Sequence, residues 1–430
     1  MSRLLLLSVA AVGLAVLLSF VLSPSRPKVI TLQELESLDY TFDFIVVGGG
    51  TAGCVIASEL AKRSNFSVLL VEEGGPTPTS PLSLHSIPVL VPFASLFATV
   101  FGELDYDYHL MPQTAALTGS FPPGNPQRRV KSPRGRVLGG SGEMNFMMHV
   151  RPTPGDYGLW ANLSGDPSWS YENMKHLEDL YERRGADAVA GVGVHLPDLS
   201  PITRAFMEAG GTTRWGNSSH YNLESHRREG ATRTEYSVFH GVRHSTARAF
   251  LLPALKQLKN LRLLIHAKAT KILLEGGKAV GVQVAMNKDT NRLITIKARR
   301  EIIVSAGAYA SPQLLLLSGI GPKDELEKVG VDVVVDLPAV GKHMQDHPMT
   351  FVKVRLGSEH GSWWPSTVTP LSLLGNPMNF INYALFGKGI LTTSLTDLLW
   401  YSKITFTFEF NCHAGLDTLL MSIELLLTFK

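Results

Sequence analysis

Cysteine is scarce in this chain. Its 430 residues include two, Cys54 and Cys412, too few for a disulfide framework or a cysteine zinc cluster. An excess of one charge is also missing. Forty basic residues face 37 acidic ones, for a net charge of +3, and that balance gives no footprint for nucleic acid. His220, His226, His240 and His244 lie in one polar stretch, 212–245, without a metal-ligating spacing on a clear helix. No metal site is expected there, and the stretch reads as a solvated surface segment. No internal repeat is evident, and no apolar run of spanning length follows residue 22. Charged residues make up 18% and hydrophobic ones 44%, which excludes a disordered chain. The length provides core for two or three domains.

Glycine, in contrast, is abundant at 39 residues, and it clusters. Phe44, Ile45, Val46 and Val47 form a short apolar run suited to a buried parallel strand. Gly48-Gly49-Gly50-Thr51-Ala52-Gly53 follows at once, then a helix-like stretch over 52–63. A second apolar run, 68–71, ends at Glu72. In a G-x-G-x-x-G unit, Gly48 permits the tight turn, Gly50 admits a pyrophosphate and Gly53 lets the helix pack against the strand. The helix N-terminus offers unpaired N–H groups to phosphate. Glu72 stands 19 residues after Gly53, where a carboxylate meets a ribose diol and repels a 2′-phosphate. A dinucleotide other than NADP is expected. The unit alone does not separate FAD from NAD.

The N-terminus carries Arg3 and then an apolar run of 19 residues, 4–22, closed by Pro24, Ser25, Arg26 and Pro27. This lies between the about 7–15 residues of a secretory core and the about 20 of a spanning helix. Residues 1–23 are therefore expected to be a signal peptide or a signal anchor. The protein would be secreted or extracellular, or membrane-anchored in the secretory pathway through residues 4–22. Sequons at Asn65, Asn162 and Asn217 agree with that route.

Two further glycine-rich stretches follow. One runs Gly135-Arg136-Val137-Leu138-Gly139-Gly140-Ser141-Gly142-Glu143-Met144-Asn145. The other runs from Ser305-Ala306-Gly307 to Ser318-Gly319-Ile320-Gly321-Pro322, after an apolar run at 302–304. A fourth segment reads Val340-Gly341-Lys342-His343-Met344-Gln345-Asp346-His347-Pro348. In this order, from Asp43 onward, the segments resemble the glucose–methanol–choline (GMC) oxidoreductases, in particular their insect-type glucose dehydrogenase-like branch. The resemblance covers roughly residues 40–394.

The resemblance implies an α/β fold: a discontinuous, Rossmann-like FAD-binding domain with an inserted α+β substrate domain, incomplete at the C-terminus. It places the FAD-binding region at 40–345, with insertions around 155–235, the start of the substrate domain at 346–394, and an unmatched tail at 395–430. It implies FAD as cofactor. Gly48, Gly50, Thr51, Ala52, Gly53 and Glu72 would hold its ADP half. Val137, Gly140, Ser141 and Asn145 would lie along the flavin and pyrophosphate, and Ala269 would touch the adenine side through its backbone. Gly142-Glu143 departs from the family's small-then-apolar pair and brings a charge near the flavin. His343-Met344 replaces the usual Asn-Leu. Ser245 and Arg248 read as structural, and His347 beside Asp346 as a support for the flavin. The implied activity is oxidation of a CH–OH group in a small alcohol or sugar, by hydride transfer to flavin, with oxygen or a quinone as electron acceptor. No catalytic residue is assigned, because the family's C-terminal histidine segment has no counterpart in 395–430; His413 stands in unrelated surroundings. An inactive, truncated flavoprotein or an FAD-containing lyase are the rival expectations. Between 253 and 304 the pattern predicts strand, helix and two strands. In the tail, Phe406, Phe408 and Phe410 alternate as in a strand, and 416–429 reads as a helix.

Overall fold

The computed structural model describes residues 27–77, 86–90, 104–111, 131–183, 191–196, 204, 207–208, 230–286, 289–346, 351–353, 377–392, 398–401 and 422–424. The expected signal segment, the Asn217 sequon, His220, His226, His347, His413 and Phe406, Phe408 and Phe410 lie outside them.

Along the chain, a short helix α1 (Leu32–Ser37) with a Thr31–Glu34 capping box precedes β1 (Thr41–Val47), α2 (Thr51–Arg63) and β2 (Val68–Val71). A second region holds β3 (Met148–His149), α3 (Pro154–Ser164), α4 (Tyr171–Tyr181), β4 (Glu182–Arg183), β5 (Val192–His195), β6 (Gly230–Arg233), β7 (Glu235–Phe239) and β8 (Val242–Arg243). The chain returns through a π-helical turn, Ala247–Leu251, and α5 (Leu252–Gln257) to β9 (Leu261–Leu264), β10 (Ala267–Glu275), β11 (Lys278–Met286), β12 (Asp289–Val304) and α6 (Gly307–Leu317).

The main sheet has the order β10-β11-β12-β1-β2-β9. The four strands β12, β1, β2 and β9 are parallel, while β10, β11 and β12 run as an antiparallel meander. The apolar runs of β1 and β2 are continuous because both faces are covered. Ile45, Val47, Leu69 and Val71 join one core with Ile296 and Leu314, whereas Val46, Val68 and Leu70 join another with Cys54, Ala57, Ala61 and Leu251. Each fully buried Val, Leu or Ile among them contributes about 1.5–3 kcal/mol. Helix α2 comes close because its buried stripe is small: Gly53, Cys54, Ala57, Ser58 and Ala61.

The structure departs from three expectations. Among the described residues between 261 and 304 no helix separates the strands; β10 occupies the place where one was expected, and the apolar run at 302–304 is the end of the 16-residue β12. The described part of the polar stretch, 230–245, is not a solvated segment. It forms β6, β7 and β8, with Tyr236, Thr234 and Arg243 fully buried. A smaller sheet of order β3-β7-β5-β4, with β8 paired to β7, results. In the tail, residues 422–424 pair with 351–353 as antiparallel strands and do not belong to a helix. Among the described residues, no helix is long and apolar enough to cross a membrane.

Candidate dinucleotide site

The chain reverses its winding between β1 and β12, since β2 lies on the other side of β1. In open α/β sheets the crevice beyond the strand C-termini at such a switch point is the ligand site. The first and third glycine stretches meet there. Gly48 takes φ 100°, a left-handed conformation that favours glycine. Its N–H donates to Val71 O (2.8 Å). Ser305, following β12, donates its hydroxyl to Gly48 O (2.9 Å) and Val47 O (3.1 Å). Gly53 is packed so tightly that an added Cβ would stand 1.9 Å from Gly48 O.

Gly50 is different. An added Cβ there would find only Gly140 Cα, at 3.9 Å. The protein itself therefore does not need glycine at this position. It lies at the N-cap of α2 with no side-chain cap bond, so the first-turn N–H groups are oriented along the helix axis for an anion.

The second glycine stretch forms the opposing wall. Gly139 N donates to Gly49 O (2.7 Å), Leu138 N to Gly75 O (2.9 Å) and Gly140 N to Val137 O (2.7 Å). Val137 is fully buried. Ser141 and Asn145 are exposed, and Ser141 Oγ accepts from Gly135 N (3.1 Å). The fourth segment reaches this wall through Asp346, whose Oδ2 is 3.9 Å from Arg134 Nη2. Tyr309 on α6 joins it too, with its hydroxyl 2.9 Å from Ser132 Oγ and its ring under the Arg134 guanidinium. Ala269 is half-buried on β10, opposite Val284 of β11 and three strands away from β1 in the sheet.

Glu72 ends β2 as expected, but it does more than present a carboxylate. Its Oε2 accepts from Gly49 N and its Oε1 from Gly74 N, both at 2.7 Å. It thus braces the glycine loop against the turn after β2. Burial pushes its pKa up to about 7, opposed by these two N–H donors.

Two charged groups were missed or misjudged in the sequence. Glu143 does not leave a bare charge in the cleft. It is fully buried, accepts from Ser245 Oγ, and its Oε2 lies 3.6 Å from Arg248 Nη2. Arg243 is fully buried behind the second glycine stretch. It donates from Nη1 to Gly142 O (2.9 Å) and Asn145 Oδ1 (2.9 Å), and from Nη2 to Asn145 O (2.8 Å). Burial lowers its pKa to about 10, and the Glu143 carboxylate opposes that shift. The usable signal for Arg243 is its place two residues before Ser245, which the family resemblance marks as structural.

The parallel sheet, the glycine turn at the switch point and the acid at the end of the second strand define a Rossmann-like dinucleotide-binding domain. Comparison with known proteins narrows the class. The GMC oxidoreductase family model matches residues 42–349. The chain is 35% identical over 378 residues to "Glucose dehydrogenase (FAD, quinone)" of Drosophila pseudoobscura pseudoobscura, covering 84% of this chain and 55% of that protein. It is 34% identical over 321 residues to an oxygen-dependent choline dehydrogenase of Photobacterium profundum, covering 72% and 52%. Among solved structures, pyridoxine 4-oxidase from Mesorbium loti superposes with a TM-score of 0.61 at 30% identity, covering 73% of this chain and 60% of that one. The chain belongs to the GMC oxidoreductase family. It spans about half the length of the curated relatives it matches.

Proposed function

We propose that this chain binds FAD and belongs to an enzyme that oxidises the CH–OH group of a small alcohol or sugar. The observation that carries the proposal is the space at Gly50, a gap the fold leaves open between two backbone walls at the N-terminus of α2. The N–H groups of Gly50, Thr51, Ala52 and Gly53 would meet the pyrophosphate between Gly48 and Gly140. Glu72 retains acceptor lone pairs for a ribose hydroxyl. Val137, Gly140, Ser141 and Asn145 would line the flavin half, and the backbone of Ala269 the adenine side. When bound, FAD would supply the acceptor for a hydride from the alcohol carbon. The named relatives act on glucose and choline, which are both alcohols, and their names include a quinone and oxygen. Either acceptor suits the same reading here.

The compartment is proposed to be the secretory pathway or the cell exterior. Arg3 and the 4–22 run support it, as do exposed Asn65 and Asn162.

The test is direct. The full chain, purified after expression with FAD available, should be yellow with a flavin absorption spectrum. Anaerobic titration with glucose, choline and simple alcohols should bleach that spectrum if the chain supports turnover. Colourless protein that retains NAD would overturn the cofactor reading.

A further inference from the structure

The structure assigns Arg243 as the positioning residue for Asn145. It turns the Asn145 amide so that Nδ2–H, a donor, is the group presented to the cofactor. This rests on the FAD reading above.

The assignment follows from the hydrogen-bond inventory. The oxygen of an asparagine amide only accepts and its nitrogen only donates. Asn145 Oδ1 meets two donors, Arg243 Nη1 at 2.9 Å and Met147 N at 3.1 Å. Neither Arg243 nor a backbone N–H can accept, so a flipped amide would set donor against donor twice. Oδ1 is consumed by these bonds. Asn145 is nonetheless exposed, so the amide nitrogen is the part free to serve a ligand. Burying a guanidinium is costly unless its donors are matched. Arg243 matches them on one loop, to Gly142 O, Asn145 Oδ1 and Asn145 O. A fork with fixed geometry can hold three oxygens that a lysine point charge cannot. Glu143 supplies the opposite charge nearby. The loop is thereby fixed from inside, and the N–H donors of Asn145 Nδ2 are left for a ligand.

Asn145→Asp separates this role from plain loop support. It keeps an acceptor for Arg243 and Met147 N and deletes the outward donor. The full-length variant, freed of cofactor, should melt at the wild-type temperature or above it. Its affinity for FAD, read by quenching of flavin fluorescence, should fall about tenfold or more, and the absorption envelope of any bound flavin should shift. Arg243→Lys should weaken FAD binding in the Asn145 background and clearly less in the Asn145→Asp background, where no amide remains to be turned and only the bonds to Gly142 O and Asn145 O are lost. Wild-type affinity and an unchanged spectrum in Asn145→Asp would overturn the inference, as would losses that simply multiply in the double variant. If the unsubstituted chain takes up no FAD, the FAD reading fails instead, so the two failures are distinguishable.

Discussion

At the scale of single residues, the two inner glycines of the first loop do opposite jobs. A methyl at Gly53 collides with Gly48 O at 1.9 Å, so Gly53→Ala should destabilise the fold by about 1–3 kcal/mol or more, seen as an early thermal melt with or without FAD. A methyl at Gly50 has room in the protein. Gly50→Ala should leave the melt of the cofactor-free chain within about 0.5 kcal/mol of wild type, yet weaken FAD uptake in a fluorescence titration. Equal thermal damage in both variants would contradict this division. Glu72 carries a pH signature. Its folded pKa is raised, from 4.5 to about 7, so its contribution is fully present below pH 4.5 and is lost as pH rises through 7. In the cofactor-free chain that loss is about 3 kcal/mol at most. Chemical denaturation from pH 4 to 8 should show stability falling across this window. Glu72→Gln, which does not titrate, should lack this component of the slope.

At the scale of elements, Asn260 joins the end of α2 to β9. The two N–H groups of its amide are shared among Ala61 O, Ser64 O and Phe66 O, each 2.9–3.1 Å from Nδ2. Asn260→Ala strands three carbonyls and should cost about 1–3 kcal/mol in denaturant melts, while FAD affinity per folded molecule stays the same. The elements around this residue were the most legible in the sequence. Apolar runs of four residues, a glycine turn and a stripe of small residues mark β1, α2 and β2 with local signals. The convergence of the glycine stretches was available only through family resemblance, because no local pattern states that Gly139 will bond Gly49. The reading failed where burial depends on partners far along the chain. Arg243 looks like surface in a window of Arg, His and Ser, and becomes interior because Gly142 and Asn145, about 100 residues earlier, supply its acceptors. The periodicity alone puts a helix where β10 stands, because the burial of β10 alternates only weakly, with Lys268 and Lys271 exposed; the family resemblance, in contrast, makes 264–272 a strand.

At the scale of the whole molecule, export is the first matter to check. In animal cells the chain should enter the endoplasmic reticulum and carry glycans on Asn65 or Asn162, so glycosidase digestion should lower its apparent mass; replacing both asparagines, together with Asn217, should abolish the shift. An undigested, cytosolic product would contradict it. A larger consequence lies in the strand order. The middle of the sheet pairs Val47 with Val304, and Ser305 closes on Gly48. These partners are separated by more than half the chain, and such contacts are slow to form because a long loop must close before they stabilise anything. On the ribosome, β1 and β2 emerge early but wait for β12 before the turn after β1 has its third wall. Loading of the proposed cofactor would therefore come late in the life of each molecule, and until β12 docks the central strand has an open edge for which other unfinished chains compete.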